Sequence, residues 1–163
     1  PTAVGRLAPM GERLYVVAGE LSGDAHGAGL LRELLVLRPG LELRGAGGPE
    51  MVKVAGGGVA DWVEDAAVMG VWEVLKKYGW FRERFARMMV ELRDFRPGIL
   101  LLIDYPGFNL RIAEWAKRAG YKVVYYISPQ VWAWKANRVK AMKECIDRLL
   151  VILPFEDEYY RKH

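Results

Sequence analysis

In residues 14–18, 99–103 and 123–127, an apolar run rich in branched side chains passes directly into a short polar segment. The three segments are Gly19-Glu20-Leu21-Ser22-Gly23-Asp24, Ile103-Asp104-Tyr105-Pro106-Gly107-Phe108-Asn109 and Ser128-Pro129-Gln130-Val131-Trp132-Ala133-Trp134. Short, unbroken apolar runs are the pattern of strands buried on both faces, as in a parallel sheet. If these runs are parallel strands of one sheet, all three polar segments emerge at the same carboxyl edge. Open α/β sheets place their ligand crevice on that edge. The chain therefore reads as a binding or catalytic domain whose site is assembled from three sequence-distant clusters.

Strand and helix signals alternate along the rest of the chain. After strand 14–18, Ser22 and Asp24 stand where N-caps stand, before a helix predicted over 25–38 that Pro39-Gly40 ends. A strand is expected over 41–45, then the turn Gly47-Gly48-Pro49, a short helix over 51–55, the break Gly56-Gly57-Gly58 and a strand over 59–63. Residues 68–78 and 80–95 carry helical periodicity, with Gly79 as hinge or cap between them. Beyond strand 99–103 the pattern predicts a helix over 109–119, a strand over 122–127, a helix over 136–146, a strand over 149–153 and a helix from 155 to 161. This alternation argues for βαβ units. The expected fold is α/β, a Rossmann-like parallel sheet flanked by helices, over residues 13–163, with residues 1–12 a flexible tail. No internal repeat or low-complexity segment is evident.

Composition narrows the function classes. At 163 residues, 52% hydrophobic and 27% charged, the chain fits one folded domain with a substantial core. Its single cysteine, Cys145, forms no internal disulfide, and no cysteine–histidine cluster has metal-ligand spacing. No stretch is long and apolar enough to span a bilayer. The net charge of +4 is concentrated: between Lys76 and Arg96 stand seven basic and three acidic residues, and the remainder is neutral. One basic surface, rather than a diffusely basic chain, is what requires a partner.

Each cluster suggests a chemistry. Gly19 and Gly23 permit tight geometry at a strand-to-helix junction whose amides face a ligand. Ser22 or Asp24 there is either a cap or a ligand contact, whereas Glu20 has no capping duty. The pattern is not a dinucleotide fingerprint: Gly-x-Gly-x-x-Gly is missing, and two acids repel a pyrophosphate. Asp104, at the mouth of a buried strand, is partly desolvated, which raises its proton affinity and suits a general base; its bland alternative is to organise the turn. Asn109 is either an N-cap or a site residue. Ser128, Gln130, Trp132 and Trp134, followed by Arg138, offer indole faces for a sugar ring, or a plug beneath the loop. Met69-Gly70 opens the next helix, at a position that could line the crevice. His26 and His163 have no partner signature and read as background.

Residues 71–95 differ in kind. Val71, Val74, Leu75 and Tyr78 share a helical face, while Trp72, Trp80, Phe81 and further aromatic and methionine residues exceed what one buried stripe needs. Interleaved lysines and arginines make this a candidate membrane contact, aromatics at the headgroups and cations toward anionic lipid. A two-helix packing surface is the plainer reading. No nucleic-acid motif accompanies the charge.

Taken in order, these clusters resemble the lipid-A-disaccharide synthase family. The matching pieces are Val17-Ala18-Gly19-Glu20-Leu21-Ser22-Gly23-Asp24, Gly27-Ala28-Gly29-Leu30, Gly47-Gly48-Pro49, Ala67-Val68-Met69-Gly70 with Glu73-Val74-Leu75, Ile103-Asp104 through Phe108-Asn109, the Ser128–Trp134 segment and Leu153-Pro154-Phe155-Glu156. The resemblance implies the N-terminal half of a GT-B fold, the nucleotide-binding C-terminal half lying beyond it. It implies transfer, with inversion, of 2,3-diacylglucosamine from UDP-2,3-diacylglucosamine to 2,3-diacylglucosamine 1-phosphate (lipid X), without cofactor or metal, at the cytoplasmic side of the inner membrane. In that frame Asp104 is the base, with Glu20 as alternative. Ser22, Gly23, Asp24, Met69, Glu73, Asn109, Ser128, Gln130, Trp132, Trp134 and Arg138 are expected to bind substrate. Val71, Trp72, Val74, Leu75, Tyr78, Trp80 and Phe81 would seat acyl chains and membrane. Such a half is expected to be inactive alone. A non-catalytic lipid- or membrane-binding module is the competing expectation, and a generic nucleotide-binding domain a third.

Overall fold

Six parallel strands in the order β3-β2-β1-β4-β5-β6 form the centre of the computed structural model, which describes residues 13–66, 71–129 and 136–162, with 71–77 and 136–138 as backbone only. The strands are β1 (Arg13–Ala18), β2 (Glu42–Gly47), β3 (Val59–Asp61), β4 (Ile99–Ile103), β5 (Val123–Tyr126) and β6 (Arg148–Leu150). The helices are α1 (Leu21–Leu37), α2 (Pro49–Ala55), α3 (Val63–Ala66), α4 (Val71–Phe95), α5 (Pro106–Arg118), α6 (Ala136–Cys145) and α7 (Pro154–Lys162). This is the Rossmann strand order, and the α/β reading holds.

Strand periodicity sorts the core into two layers, because successive side chains point to opposite faces. Leu14, Val16, Ala18, Leu101 and Ile103 pack with Leu31 of α1 and Met51 of α2. Tyr15, Val17, Leu100, Leu102, Val123 and Tyr125 pack with Met88, Leu92 and Phe95 of α4 and Ile112 and Ala116 of α5. Each large aliphatic side chain so buried contributes about 1.5–3 kcal/mol, which is why β1 and β4 read as unbroken apolar runs. Gly45 is obligatory where β2 passes β1: its φ is +143°, and a Cβ there would stand 1.8 Å from the Val16 carbonyl oxygen.

Three local expectations are corrected. α1 starts at Leu21, not at residue 25, so Ser22 and Asp24 lie inside its first turn rather than at a cap. Glu20 occupies the N-cap position but makes no side-chain capping bond. The two helices expected around Gly79 are a single 25-residue helix. A helix-interior glycine costs only about 1 kcal/mol, which the packing of Trp80, Phe81 and Phe85 against the core offsets. The turn over 104–108 enters its helix earlier than expected: α5 begins at Pro106, with Tyr105 as its N-cap.

Candidate active site at the switch point

The chain runs outward from β1 in opposite directions, β2 on one side and β4 on the other, so the topological switch point lies between β1 and β4. Their ends are in register, Ala18 beside Ile103. Two residues beyond Ala18 comes Glu20, and one beyond Ile103 comes Asp104. Sequence-distant acids thus flank the position where doubly wound sheets bind ligands.

Their electrostatics agree with that placement. Burial holds the half-buried Asp104 carboxyl above its ordinary value, against the opposing pull of a hydrogen bond from the Tyr105 backbone and of nearby His26. Glu20 is also raised, first by desolvation and then by the charge of Asp104. Glu20 therefore lies within electrostatic reach of Asp104. Carboxylates whose proton affinity is raised are candidates for proton transfer. His26 is the residue that sequence reasoning set aside; its ring meets Tyr126 edge-on at 6.4 Å. Only the pairing of α1 with the β4 edge brings it near Asp104.

Backbone strain gathers at this edge. Asp104 and Tyr105 have φ of +47° and +50°, and Ile127, just past β5, has +65°. Left-handed geometry is uncommon for such residues and rare for a β-branched one, and it persists where surrounding contacts over-determine it. Those contacts are visible. The Asp104 N–H donates to the Tyr126 carbonyl at 2.9 Å. Its own carbonyl accepts from Tyr125 Oη at 2.5 Å and from Asn109 Nδ2 at 2.9 Å. The Tyr105 ring lies against Gly19, where a Cβ would stand 2.2 Å from the ring. Trp62, likewise not singled out from sequence, is buried among Trp80, Tyr105 and Phe108, and its Nε1–H donates to the Ala18 carbonyl at 2.6 Å.

Several other expected site residues have structural partners. Asp24 is 1% exposed; its carboxylate accepts N–H bonds from Gly48, Glu50 and Met51, each at 2.9 Å, and so caps α2 from a neighbouring helix. Fully buried Asn109 donates through Nδ2 to the carbonyls of Ile103 and Asp104, with a longer approach to Val17, stitching the ends of β1 and β4. The Ser128 hydroxyl donates to buried Glu156 of α7 at 2.8 Å, and Tyr160 Oη donates to the Pro129 carbonyl at 2.8 Å. These bonds anchor the chain where it enters the tryptophan segment. Ser22 is exposed and Gly23 buried in the first turn of α1. Tyr78 is exposed, whereas Trp80 stacks on Trp62 at 5.5 Å and Phe81 packs toward Phe108. Met69, Gln130, Trp132 and Trp134 lie outside the described residues. Val71, Trp72, Glu73, Val74, Leu75 and Arg138 are described only as helix backbone. Among the described residues, no three acids, histidines or cysteines converge as metal ligands.

A doubly wound α/β domain with two acids beside its switch point defines the class: a fold that takes its ligand at the carboxyl edge of the sheet. Residues 14–163 match the family model of lipid-A-disaccharide synthetase. The chain belongs to that family. It is 46% identical over 160 residues to a lipid-A-disaccharide synthase of Trichlorobacter lovleyi, covering 98% of this chain and 40% of the relative. A Geobacter metallireducens lipid-A-disaccharide synthase is 46% identical over 151 residues, 93% of this chain and 39% of the relative. Lipid-A-disaccharide synthase 1 of Legionella pneumophila is 42% identical over 153 residues, 93% and 40% respectively. The chain thus spans about 40% of the length of these curated relatives.

Proposed function

We propose that this chain is the acceptor-side half of an inverting glycosyltransferase of lipid A biosynthesis. It acts on UDP-2,3-diacylglucosamine and 2,3-diacylglucosamine 1-phosphate. The observation that carries the reading is the meeting of Asp104 and Glu20 at the switch point. In this mechanism the Asp104 carboxylate takes the proton from the acceptor 6-hydroxyl as that oxygen attacks the donor's anomeric carbon. The new C–O bond forms on the face opposite the breaking bond to UDP, so the product is β-1,6-linked and UDP leaves with the electron pair. A proton affinity raised by burial makes Asp104 the better base at neutral pH. Glu20 holds acceptor hydroxyls beside it, and Gly23 and Ser22 bring the first turn of α1 close to the sugar. Met69, Glu73, Gln130, Trp132, Trp134 and Arg138 complete the sugar contacts in this reading. Asp24, Asn109 and Ser128 serve the site by holding its walls.

The nucleotide is held by a C-terminal domain of a family-length enzyme. A family-length enzyme carrying these residues is therefore expected to form disaccharide and release UDP, and the 163-residue chain by itself to form none. Disaccharide synthesis by the chain alone would sink the half-site reading.

Membrane association is part of the same proposal. Among the described residues, no helix is long and apolar enough to cross a membrane. The stripe of Val71, Val74, Leu75 and Tyr78 ends on a Tyr78 that is 65% exposed. It supports peripheral contact with the inner membrane from the cytoplasmic side. Replacing Val74, Leu75 and Tyr78 with serine is expected to release the protein from anionic liposomes in a sedimentation assay. Undiminished co-sedimentation would remove this surface from the proposal.

A further inference from the structure

Between α4 and α5 lies an open pocket of about 470 Å³, inside the range of small-molecule sites. Its walls are the rings of Phe81, Phe85, Phe108 and Tyr105, with Arg82 and Arg111 at the mouth. Both arginines are exposed, and neither has an acid within 4.0 Å among the described residues. Tyr105 is a shared wall. Its backbone follows Asp104 directly, its ring covers Gly19, and its hydroxyl donates to the Ala66 carbonyl at 3.1 Å. The pocket is therefore a neighbour of the acid pair rather than the crevice itself.

We propose that this pocket takes one hydrocarbon chain of a single anionic lipid, and that Arg82 and Arg111 hold that lipid's phosphate monoester at the mouth. The inference rests on the glycosyltransferase reading and deepens it by naming the acceptor's tail and phosphate sites. The mainly aromatic lining suits an acyl chain: Phe81, Phe85 and Phe108 are wholly apolar, and the Tyr105 hydroxyl is engaged by the Ala66 carbonyl. Two guanidinium groups that have no acid partner among the described residues supply the fork geometry that recognises phosphate oxygens. Arg82 stands on α4 and Arg111 on α5, so the two cations approach the pocket from both of its helical walls. Tyr105 lines the pocket and directly follows Asp104 in the chain. A lipid seated there would carry its head group toward Asp104.

Gly107 lines the pocket and makes the test clean. A Cβ built there meets no atom within 4 Å, and its φ is not in the left-handed region, so leucine fits the fold and fills the space. The probes are octyl and decyl phosphate, titrated calorimetrically below their micellar concentrations, with decanol and inorganic phosphate as comparators. The expected result is one site per chain, with affinity rising about fourfold per added methylene. Decanol and inorganic phosphate are each expected to bind at least tenfold more weakly than decyl phosphate. Gly107→Leu should weaken decyl phosphate at least tenfold with an unchanged circular dichroism spectrum. Arg82→Gln with Arg111→Gln should abolish the preference for decyl phosphate over decanol. Undiminished binding by Gly107→Leu, equal binding of decanol and decyl phosphate by the unaltered protein, or binding seen only with micelles or vesicles overturns the proposal. The probes contain neither sugar nor nucleotide, so these failures leave the transfer chemistry standing. Conversely, a family-length enzyme that forms no disaccharide removes the chemistry and leaves the pocket.

Discussion

Asp104→Asn in a family-length enzyme is expected to lower kcat for disaccharide formation by about 10²–10⁴-fold, the usual worth of a positioned general base. The substitution is close to ideal for isolating the proton. Asparagine is among the few non-glycine residues that tolerate left-handed backbone, so the φ of +47° at this position survives. The main-chain bonds to Tyr125, Tyr126 and Asn109 also survive, because none uses the carboxylate. KM for the acceptor should therefore change little. The pH profile gives a second readout. A base works only when deprotonated, and burial raises the proton affinity of Asp104. The rate should thus fall as pH is lowered through a value above the ordinary aspartate range, and be retained above it. In Asp104→Asn that acid limb should disappear. A variant with near-normal turnover and the same limb would transfer the role to Glu20.

Asp24→Ala is expected to cost the fold about 3–5 kcal/mol, through three lost charge-assisted bonds and buried donors left unsatisfied. That is a large part of the 5–15 kcal/mol that holds a typical domain together. The reason lies in helix ends. The first turn of α2 has N–H groups without intrahelical partners; Pro49 has none to satisfy, and Asp24 takes those of Glu50 and Met51 as well as that of the cap residue Gly48. Urea unfolding should show a lower midpoint, and the melting temperature should fall on the order of 10 °C. Asp24→Asn should lie between, since Oδ1 serves Gly48 and Met51 while Oδ2 serves Glu50 alone. Unaltered stability with lost activity would return Asp24 to the substrate contacts that its place in the motif first suggested.

The contrast between these two acids shows where sequence reading holds. Both stand in polar segments after apolar strands, and both looked chemical. Asp104 follows its strand by one residue, so strand direction alone carries it to the carboxyl edge. Asp24 lies one helical turn into α1, where its direction depends on which neighbour packs there. That neighbour is the N-terminus of α2, over twenty residues on. Asn109 and Ser128 follow the same rule: their partners are backbone carbonyls and a buried glutamate whose proximity arises only from folding. Gly79 misled for a different reason. Its local preference is weak, and the packing of Trp80, Phe81 and Phe85 against the core outweighs it.

Periodic burial is written in the order of residues, because a strand buried on both faces must be apolar throughout and a helix must repeat its apolar face every third or fourth residue. The parallel α/β fold, the three strand ends and the acids that follow them were legible for that reason. The strand order was not. Placing β4 against β1 creates the switch point, brings His26 and Glu20 to Asp104, wedges Tyr105 over Gly19 and opens the aromatic pocket between α4 and α5. Those are contacts between segments tens of residues apart, settled by how whole layers pack, and no local pattern encodes them.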